Sequence, residues 1–373
     1  MFAAVALVCF FAFVYSVIML LLAGGLNRLD RHIPVHQTRT VPVTMIIPFR
    51  NEEEYLPGLV KDILSQLYPK EQLEVIFVND HSGDGSREKI QSLVEGDPRF
   101  RCLDLPEGRS GKKDALFTAV LKAGGQWIIQ TDADCRMGPR FVASHVAFLR
   151  QHPSDLVAGI VTTGEAGGGF TEFFERLDLL SLVAAGAGSF HYGRPVMCSG
   201  ANLAYTRDLY LETRKFDPAT NVASGDDMFL MIGARRLGKK ISFIPHREAM
   251  VKTMPADGLR YVILQRVRWG SKTWHYGMTD IQLLAVLVAA TNLLIFSIPV
   301  WLILQPSSWI CLVPAWGIKT LADFFLLYTV TGLTRQRKAL RLFLPAALFY
   351  YFYHLIILTG MLVSVKGWKD RRY

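Results

Sequence analysis

Gln130-Thr131-Asp132-Ala133-Asp134-Cys135 follows Gln126-Trp127-Ile128-Ile129, a short apolar run that breaks off in two carboxylates with one small residue between them. A strand leaving a buried sheet reads this way, its side chains alternating and the acids emerging at its carboxyl end. In open α/β sheets that end is where ligands bind. Two acids so spaced can share a hard divalent cation, which in turn can clamp a diphosphate. An acidic turn after an edge strand would use the same letters, so the reading rests on what surrounds it.

Upstream, Val43 to Ile47 reads as a buried strand stopped by Pro48, and Glu53 to Leu67 as an amphipathic helix. Leu73 to Val78 is a second strand, ending at Asn79-Asp80. A helix near Ser86 to Val94, a strand about Phe100 to Leu103 and a helix from Ala115 to Ala123 lead into the strand Trp127 to Gln130. Strands alternating with helices imply a mainly parallel, Rossmann-like α/β sheet. Downstream, Gly164 to Gly169 reads as a flexible loop, and Thr171 to Leu182 as an amphipathic helix with Phe173, Phe174, Leu177 and Leu180 as a core stripe. Those glycines are not a G-x-G-x-x-G fingerprint after a strand, which sets dinucleotide binding aside.

The 373 residues leave room for one or two domains, and 51% of them are hydrophobic. The apolar residues crowd the first 26 positions and the last hundred. Phe2 to Leu26 carries no charge and is long enough to span a bilayer. It lacks a basic n-region and exceeds an ordinary signal core, so it reads as an uncleaved anchor. Three further stretches, about Ile281 to Leu304, Trp309 to Val330 and Leu342 to Val365, could each span. The second holds Lys319 and Asp323 at i,i+4 spacing, where opposite charges neutralise one another in a bundle interior; a functional and a packing pair read alike. Five single cysteines (Cys9, Cys102, Cys135, Cys198, Cys311) form neither a disulfide framework nor a zinc site and fit a reducing compartment.

The net charge of +9 gathers beside the apolar stretches: Arg28, Arg31 and Arg39 after the first, Arg335, Arg337, Lys338 and Arg341 between later ones, and Lys366, Lys369, Arg371 and Arg372 at the tail. Such placement points to membrane lipids with anionic headgroups and away from nucleic acid, for which there is no module. The arginines after Leu26 put the next domain in the cytoplasm by the positive-inside rule. Four full crossings would then put the tail from Lys366 outside, against that rule, unless a stretch such as Leu342 to Leu355, with Pro345, is re-entrant or interfacial. The chain divides into an anchor at 1–26, a juxtamembrane linker at 27–41, an α/β domain at 42–255, an interface helix at 256–280 and a membrane region at 281–373.

Polar residues collect at the strand ends. Pro48-Phe49-Arg50-Asn51-Glu52 closes the first strand. Asp80 opens Asp80-His81-Ser82-Gly83-Asp84-Gly85-Ser86, where a carboxylate can accept from a base N–H or a ribose hydroxyl. The competing use is a helix N-cap, which suits Ser86 better than Asp80. Gly108-Arg109-Ser110-Gly111-Lys112-Lys113 sets mobile backbone and cations before a helix, suited to phosphate oxygens, although it is no Walker loop. Cys198-Ser199-Gly200-Ala201-Asn202 is small enough to admit a substrate closely. Ser224-Gly225-Asp226-Asp227 is a second acidic pair before a helix from Met228 to Arg236; either acid could cap it, or Asp227 could act as general base. Gln265-Arg266-Val267-Arg268-Trp269 lies on an amphipathic helix, Leu259 to Trp274. There Arg268 can pair with phosphate and Trp269 can stack on a sugar, unless the arginines merely snorkel.

Together these motifs resemble the membrane-bound family 2 glycosyltransferases of GT-A fold. Asp80, Asp132-Ala133-Asp134, Asp226-Asp227 and Gln265-x-x-Arg268-Trp269 stand in that family's order and at about its spacings, over roughly residues 42 to 275. The last motif looks like that of cellulose, chitin, hyaluronan and poly-N-acetylglucosamine synthases, and occurs with variation in the ceramide glucosyltransferase group. Gly225-Asp226-Asp227 departs from the usual Thr-Glu-Asp, which puts a supporting role for Asp226 in doubt.

The resemblance implies a GT-A domain with one N-terminal and about three C-terminal transmembrane helices, in a bacterial cytoplasmic membrane with the catalytic domain in the cytoplasm. It implies inverting transfer from a nucleotide sugar, by family habit UDP-linked, to a lipid-linked or saccharide acceptor. Pro48, Asn51, Glu52, Asp80, Lys112 and Asp132 would bind the donor. Asp132 and Asp134 would hold Mg²⁺ or Mn²⁺. Asp227, helped by Asp226, would be the base, and Gly200, Gln265, Arg268 and Trp269 would contact the acceptor or diphosphate. A processive synthase exporting its polymer is the alternative, although about three trailing spans make a small conduit. A non-catalytic scaffold or transporter subunit is the alternative of another class, against which the intact acids argue.

Overall fold

The computed structural model describes residues 2–33, 40–164, 168–215 and 225–363. In chain order the elements are α1 (Phe2–Arg28), β1 (Val43–Phe49), α2 (Leu56–Leu64), β2 (Leu73–Asn79), α3 (Ser86–Leu93), β3 (Phe100–Asp104), α4 (Lys112–Lys122) and β4 (Trp127–Gln130). Next come β5 (Cys135–Met137), α5 (Phe141–Gln151), β6 (Leu156–Gly159), β7 (Val161–Thr163), α6 (Phe170–His191), β8 (Leu203–Thr206), α7 (Arg207–Arg214) and α8 (Asp226–Arg236). The remainder are β9 (Ile241–Ile244), β10 (Val251–Thr253), α9 (Leu259–Gly270), α10 (Thr279–Phe296), α11 (Ile298–Leu304), α12 (Trp309–Leu333) and α13 (Phe343–Val363).

The chain forms two compact units. One, residues 29–164 and 197–254, is α/β. Its seven-stranded sheet runs β3-β2-β1-β4-β8-β6-β9. Pairing is parallel from β3 to β4 and between β6 and β9, and β8 runs antiparallel to both neighbours. Central β1 and β2 are nearly all buried, as continuous apolar strands covered on both faces must be. A three-stranded sheet, β5-β10-β7, stands beside the carboxyl end of β4. The mainly parallel α/β architecture read from the sequence is present.

Three helix starts differ from the sequence reading, each for a local reason. α2 begins at Leu56 instead of Glu53, because the N–H groups of Glu52 and Glu53 are taken by Ser86 and Asp84 of the next loop, and Pro57 suits the helix's first turn. α4 begins at Lys112, three residues early, released by Gly111 at φ +93°. α8 takes in Asp226 and Asp227 instead of following them, after left-handed Gly225 at φ +98°; acids in a first turn favour the helix dipole.

The other unit comprises residues 1–28, 165–196 and 255–373. Residues 168–196, read from the sequence as part of the α/β domain, thus fold with the apolar helices, and α6 runs on to His191 instead of ending near Leu182. The cause is close packing of α6 on α1: a Cβ at Gly25 or Gly188 would collide with the facing helix's backbone, and the Tyr192 hydroxyl donates to Leu21 O at 2.8 Å. Among the described residues, four helices are long and apolar enough to cross a membrane: 2–28, 279–296, 306–333 and 337–362. The span read as Ile281 to Leu304 breaks at Ser297, ahead of Pro299, which cannot donate to the preceding turn. α13 is unbroken, with Pro345 harmless in its first turn. The interface helix ends at Gly270, not Trp274. Lys319 and Asp323 pair at 2.8 Å, and Asp323 also accepts from the Tyr15 hydroxyl at 2.8 Å. These contacts within the bundle fit a packing pair. The basic tail from Lys366, residues 34–39 of the linker, and Ser224 lie outside the described residues.

Candidate active site

Two loops clasp each other at the carboxyl ends of β1 and β2. Asn51, at φ +53°, accepts from Gly83 N with its side chain at 2.8 Å and donates its own N–H to Ser82 Oγ at 3.1 Å. Arg50 donates to Asp80 O at 3.2 Å. Asn51 and Glu52 therefore contribute to the shape of the loops through bonds inside the protein. Asp80, at the end of β2 and 7% exposed, accepts from Gly111 N at 3.0 Å and lies 3.3 Å from His81 Nδ1. The carboxylate thus ties the β2 end to the start of α4, and so fixes where Lys112 begins its helix.

From that start Lys112 pairs with Asp132 Oδ1. Burial works against the Lys112 charge, but Asp132 foremost, then Asp227 and Asp226, outweigh it and raise the pKa. Asp134 is half-buried, its Oδ2 accepting from the Thr253 hydroxyl at 2.9 Å. Burial first, and the neighbouring Asp132 charge second, raise its pKa despite Thr253 and Lys112. The acidic pair therefore holds more negative charge than Lys112 relieves, and its oxygens are hard donors: a divalent cation fits that deficit. Among the described residues no three His, Cys, Asp or Glu side chains gather to hold such an ion. Mg²⁺-type sites commonly complete their shell with water and substrate phosphates.

Gly200 is the hub. Its N–H donates to Asp227 Oδ2 at 2.8 Å, and its carbonyl accepts from Gln130 Nε2 at 3.1 Å. A Cβ there would meet Gln130 Nε2 at 2.7 Å and Lys112 Nζ at 3.2 Å, so a side chain would displace the lysine or the glutamine. Asp227 Oδ1 also accepts from Met228 N at 2.8 Å, leaving the carboxylate oriented by two backbone donors. Thr131 Oγ1 donates to Ala201 O at 2.9 Å, lacing the end of β4 to the same loop. Asn202, just beyond, donates to Ile160 O and Ala249 O and faces His145 Nε2 at 3.1 Å. Burial raises the Cys135 and Cys198 thiols well above their ordinary range, which disfavours a thiolate nucleophile.

The α/β unit thus assembles Lys112, Asp132, Asp134, Gly200 and Asp227, with Asp226 close enough to act on Lys112. Asp80 is joined to this group through Gly111, and Pro48 lies in β1. Gln265, Arg268 and Trp269 belong to α9 in the helical unit, all half-buried. Gln265 accepts from Arg266, and the Arg266 guanidinium lies 4.3 Å from the Trp269 ring centre. Sequence reasoning missed Gln130, Thr253 and Arg266. Gln130 left a signal, a polar residue ending an apolar buried strand. Thr253 left none, because only the pairing of β5 with β10, Thr253 opposite Cys135, brings it to Asp134.

Residues 44–211 match the sequence profile of glycosyl transferase family 2. The chain is 28% identical over 251 residues to an N-acetylglucosaminyltransferase of Rhizobium meliloti, covering 64% of this chain and 57% of that protein. To the probable glycosyltransferase YdaM of Bacillus subtilis it is 25% identical over 263 residues, covering 67% and 61%. It therefore spans about three fifths of the length of these relatives. A mannosyltransferase, PcManGT of Pyrobaculum calidifontis, solved with GDP-Man and Mn²⁺, shares the fold with a TM-score of 0.56 at 17% identity, over 96% of this chain and 98% of that one. The profile and both named relatives are those of transferases.

Proposed function

With a family 2 glycosyl transferase domain over residues 44–211, we propose that this chain is a membrane enzyme moving a sugar, with inversion, from a nucleotide sugar to a lipid-linked or saccharide acceptor at the cytoplasmic face. The observation that carries this is the fixing of Asp227 by Gly200 N–H and Met228 N–H beside the Lys112–Asp132 pair. A base so held keeps its lone pair aimed while a hydroxyl approaches. The Rhizobium relative, an N-acetylglucosaminyltransferase, makes N-acetylglucosamine the first sugar to try, carried on UDP.

Asp80 binds the nucleobase where the β2 end meets Gly111. Lys112 meets the donor phosphates, exchanging its hold on Asp132 for theirs. Asp132 and Asp134 would hold Mg²⁺ or Mn²⁺, which would supply positive charge to the leaving diphosphate. Asp227 takes the acceptor hydroxyl proton as that oxygen attacks the anomeric carbon from the face opposite the diphosphate. Gly200 leaves room for the approach. Gln265, Arg268 and Trp269 hold acceptor and diphosphate. Helices 2–28, 279–296, 306–333 and 337–362 anchor the enzyme.

The test is a panel of radiolabelled nucleotide sugars, UDP-N-acetylglucosamine, UDP-glucose and GDP-mannose, offered to native membranes with Mg²⁺ or Mn²⁺. Label entering a lipid extract or a saccharide, lost on chelation, is the expected result. No incorporation and no donor hydrolysis from any of them would sink the transferase reading.

A further inference from the structure

The helical unit contains an ion pair that the acceptor motif does not explain. Arg266, between Gln265 and Arg268 in the chain, is 6% exposed, yet carries a full charge. Its Nε donates to Asp178 Oδ2 on α6 at 2.6 Å, and Asp178 also accepts from the Tyr353 hydroxyl of α13 at 3.3 Å. A buried guanidinium is costly unless its donors are used. Here one further donor and the cation itself reach along α9: Nη1 donates to Gln265 Oε1, and the guanidinium carbon lies over the Trp269 ring, 4.3 Å from its centre. One cation, fixed by an acid on another helix, thereby touches two of the four residues read as contacting the acceptor or diphosphate.

We infer that Arg266, held by Asp178 and Tyr353, is a positioning residue that sets the orientation of Gln265 and Trp269 for the acceptor. The inference rests on the transferase reading for its purpose, but its geometry stands apart from it. Gln265 is a flexible amide and Trp269 a half-buried ring; left to solvent, each would sample several rotamers. Arg266 links both, so losing the fork loosens them together. α6, read from the sequence as a helix of the α/β domain, then serves the acceptor motif through Asp178.

The test compares Arg266→Lys, Arg266→Met and Tyr353→Phe with the full-length protein in detergent. Trp269 emission and acrylamide quenching are taken as the difference between each protein and its Trp269→Phe counterpart, which needs no turnover. Lysine can keep the charge for Asp178 but has neither fork nor plane. The expected result is that Arg266→Lys restores most of the melting temperature lost in Arg266→Met, yet leaves Trp269 more quenched than in wild type. With UDP-N-acetylglucosamine and either undecaprenyl phosphate or a chitin oligomer, the acceptor KM rises about 10-fold while acceptor-free donor hydrolysis is unchanged, the misorientation penalty being of that order or larger. Tyr353→Phe shifts both readouts the same way by less. Unchanged Trp269 quenching in Arg266→Lys overturns the inference, as does a parallel fall in hydrolysis and transfer. A wild type inactive with every donor counts against the transferase reading alone, and the Trp269 signal still decides this one.

Discussion

Two ion pairs, one in each unit, have the same chemistry and opposite surroundings. The Lys112 and Asp132 side chains are 33% and 35% exposed; those of Arg266 and Asp178 are 6% and 3% exposed. A half-exposed pair sits in a higher dielectric than a buried one, contributes less to stability, and can trade a partner for a ligand at smaller cost. A closed pair cannot: each charge, once buried, depends on the other. We read the open pair as the working one and the closed pair as the fixture, and that contrast can be broken experimentally.

The largest effect belongs to the open cluster and is kinetic. Asp227→Asn is isosteric and keeps an acceptor oxygen for one of the two backbone donors, but removes the base. Transfer should fall about 10²–10⁴-fold, with donor affinity kept within a few-fold. Near-normal transfer in that variant would remove Asp227 from the mechanism.

The next largest is thermodynamic and tests the contrast directly. Asp178→Asn leaves the Arg266 charge buried without its acid and should cost about 3–5 kcal/mol in thermal or denaturant unfolding. Asp132→Asn, in the open pair, should cost about 0–1 kcal/mol. Equal losses would erase the distinction between the two pairs.

A smaller effect concerns the fixture inside the α/β unit. Burial lowers the pKa of His145 from 6.5 to about 4, with Phe141 O and Asn202 opposing the shift. The folded chain therefore refuses a proton that the unfolded chain accepts between those two values. Stability is fully present above pH 6.5 and is lost as pH falls toward 4, by about 3 kcal/mol for a fully buried imidazole. Melting temperatures of wild type and His145→Gln between pH 7 and pH 4.5 should diverge, the variant losing that part of the slope. Parallel curves would mean that His145 titrates normally.

Much of the α/β architecture was legible because its signals are local. Apolar runs such as Val43–Ile47 and Leu73–Val78 stop at polar residues, and those stops mark strand ends. Asp132, Asp134 and Asp227 were legible as candidates for the same reason: each stands just beyond an apolar run or at the head of a helix, where a turn or cap uses the same letters and only their company marks them as a site. Helix boundaries were less so, since the starts of α4 and α8 depend on the positive φ of Gly111 and Gly225, which a sequence permits but does not announce.

The sequence by itself determined the alternation of strands and helices, the apolar stretches and the short set of charged residues from which a site could be built. Side-chain period and continuous hydrophobicity act over neighbouring residues and need no partner to be read. Only the tertiary structure decided that α6 packs with the apolar helices, that Gly200 N–H holds Asp227, that Thr253 reaches Asp134, and that Arg266 spends its charge on Asp178. Each is a contact between residues far apart in the chain, set by strand register or helix packing, and no local pattern encodes which distant group will arrive.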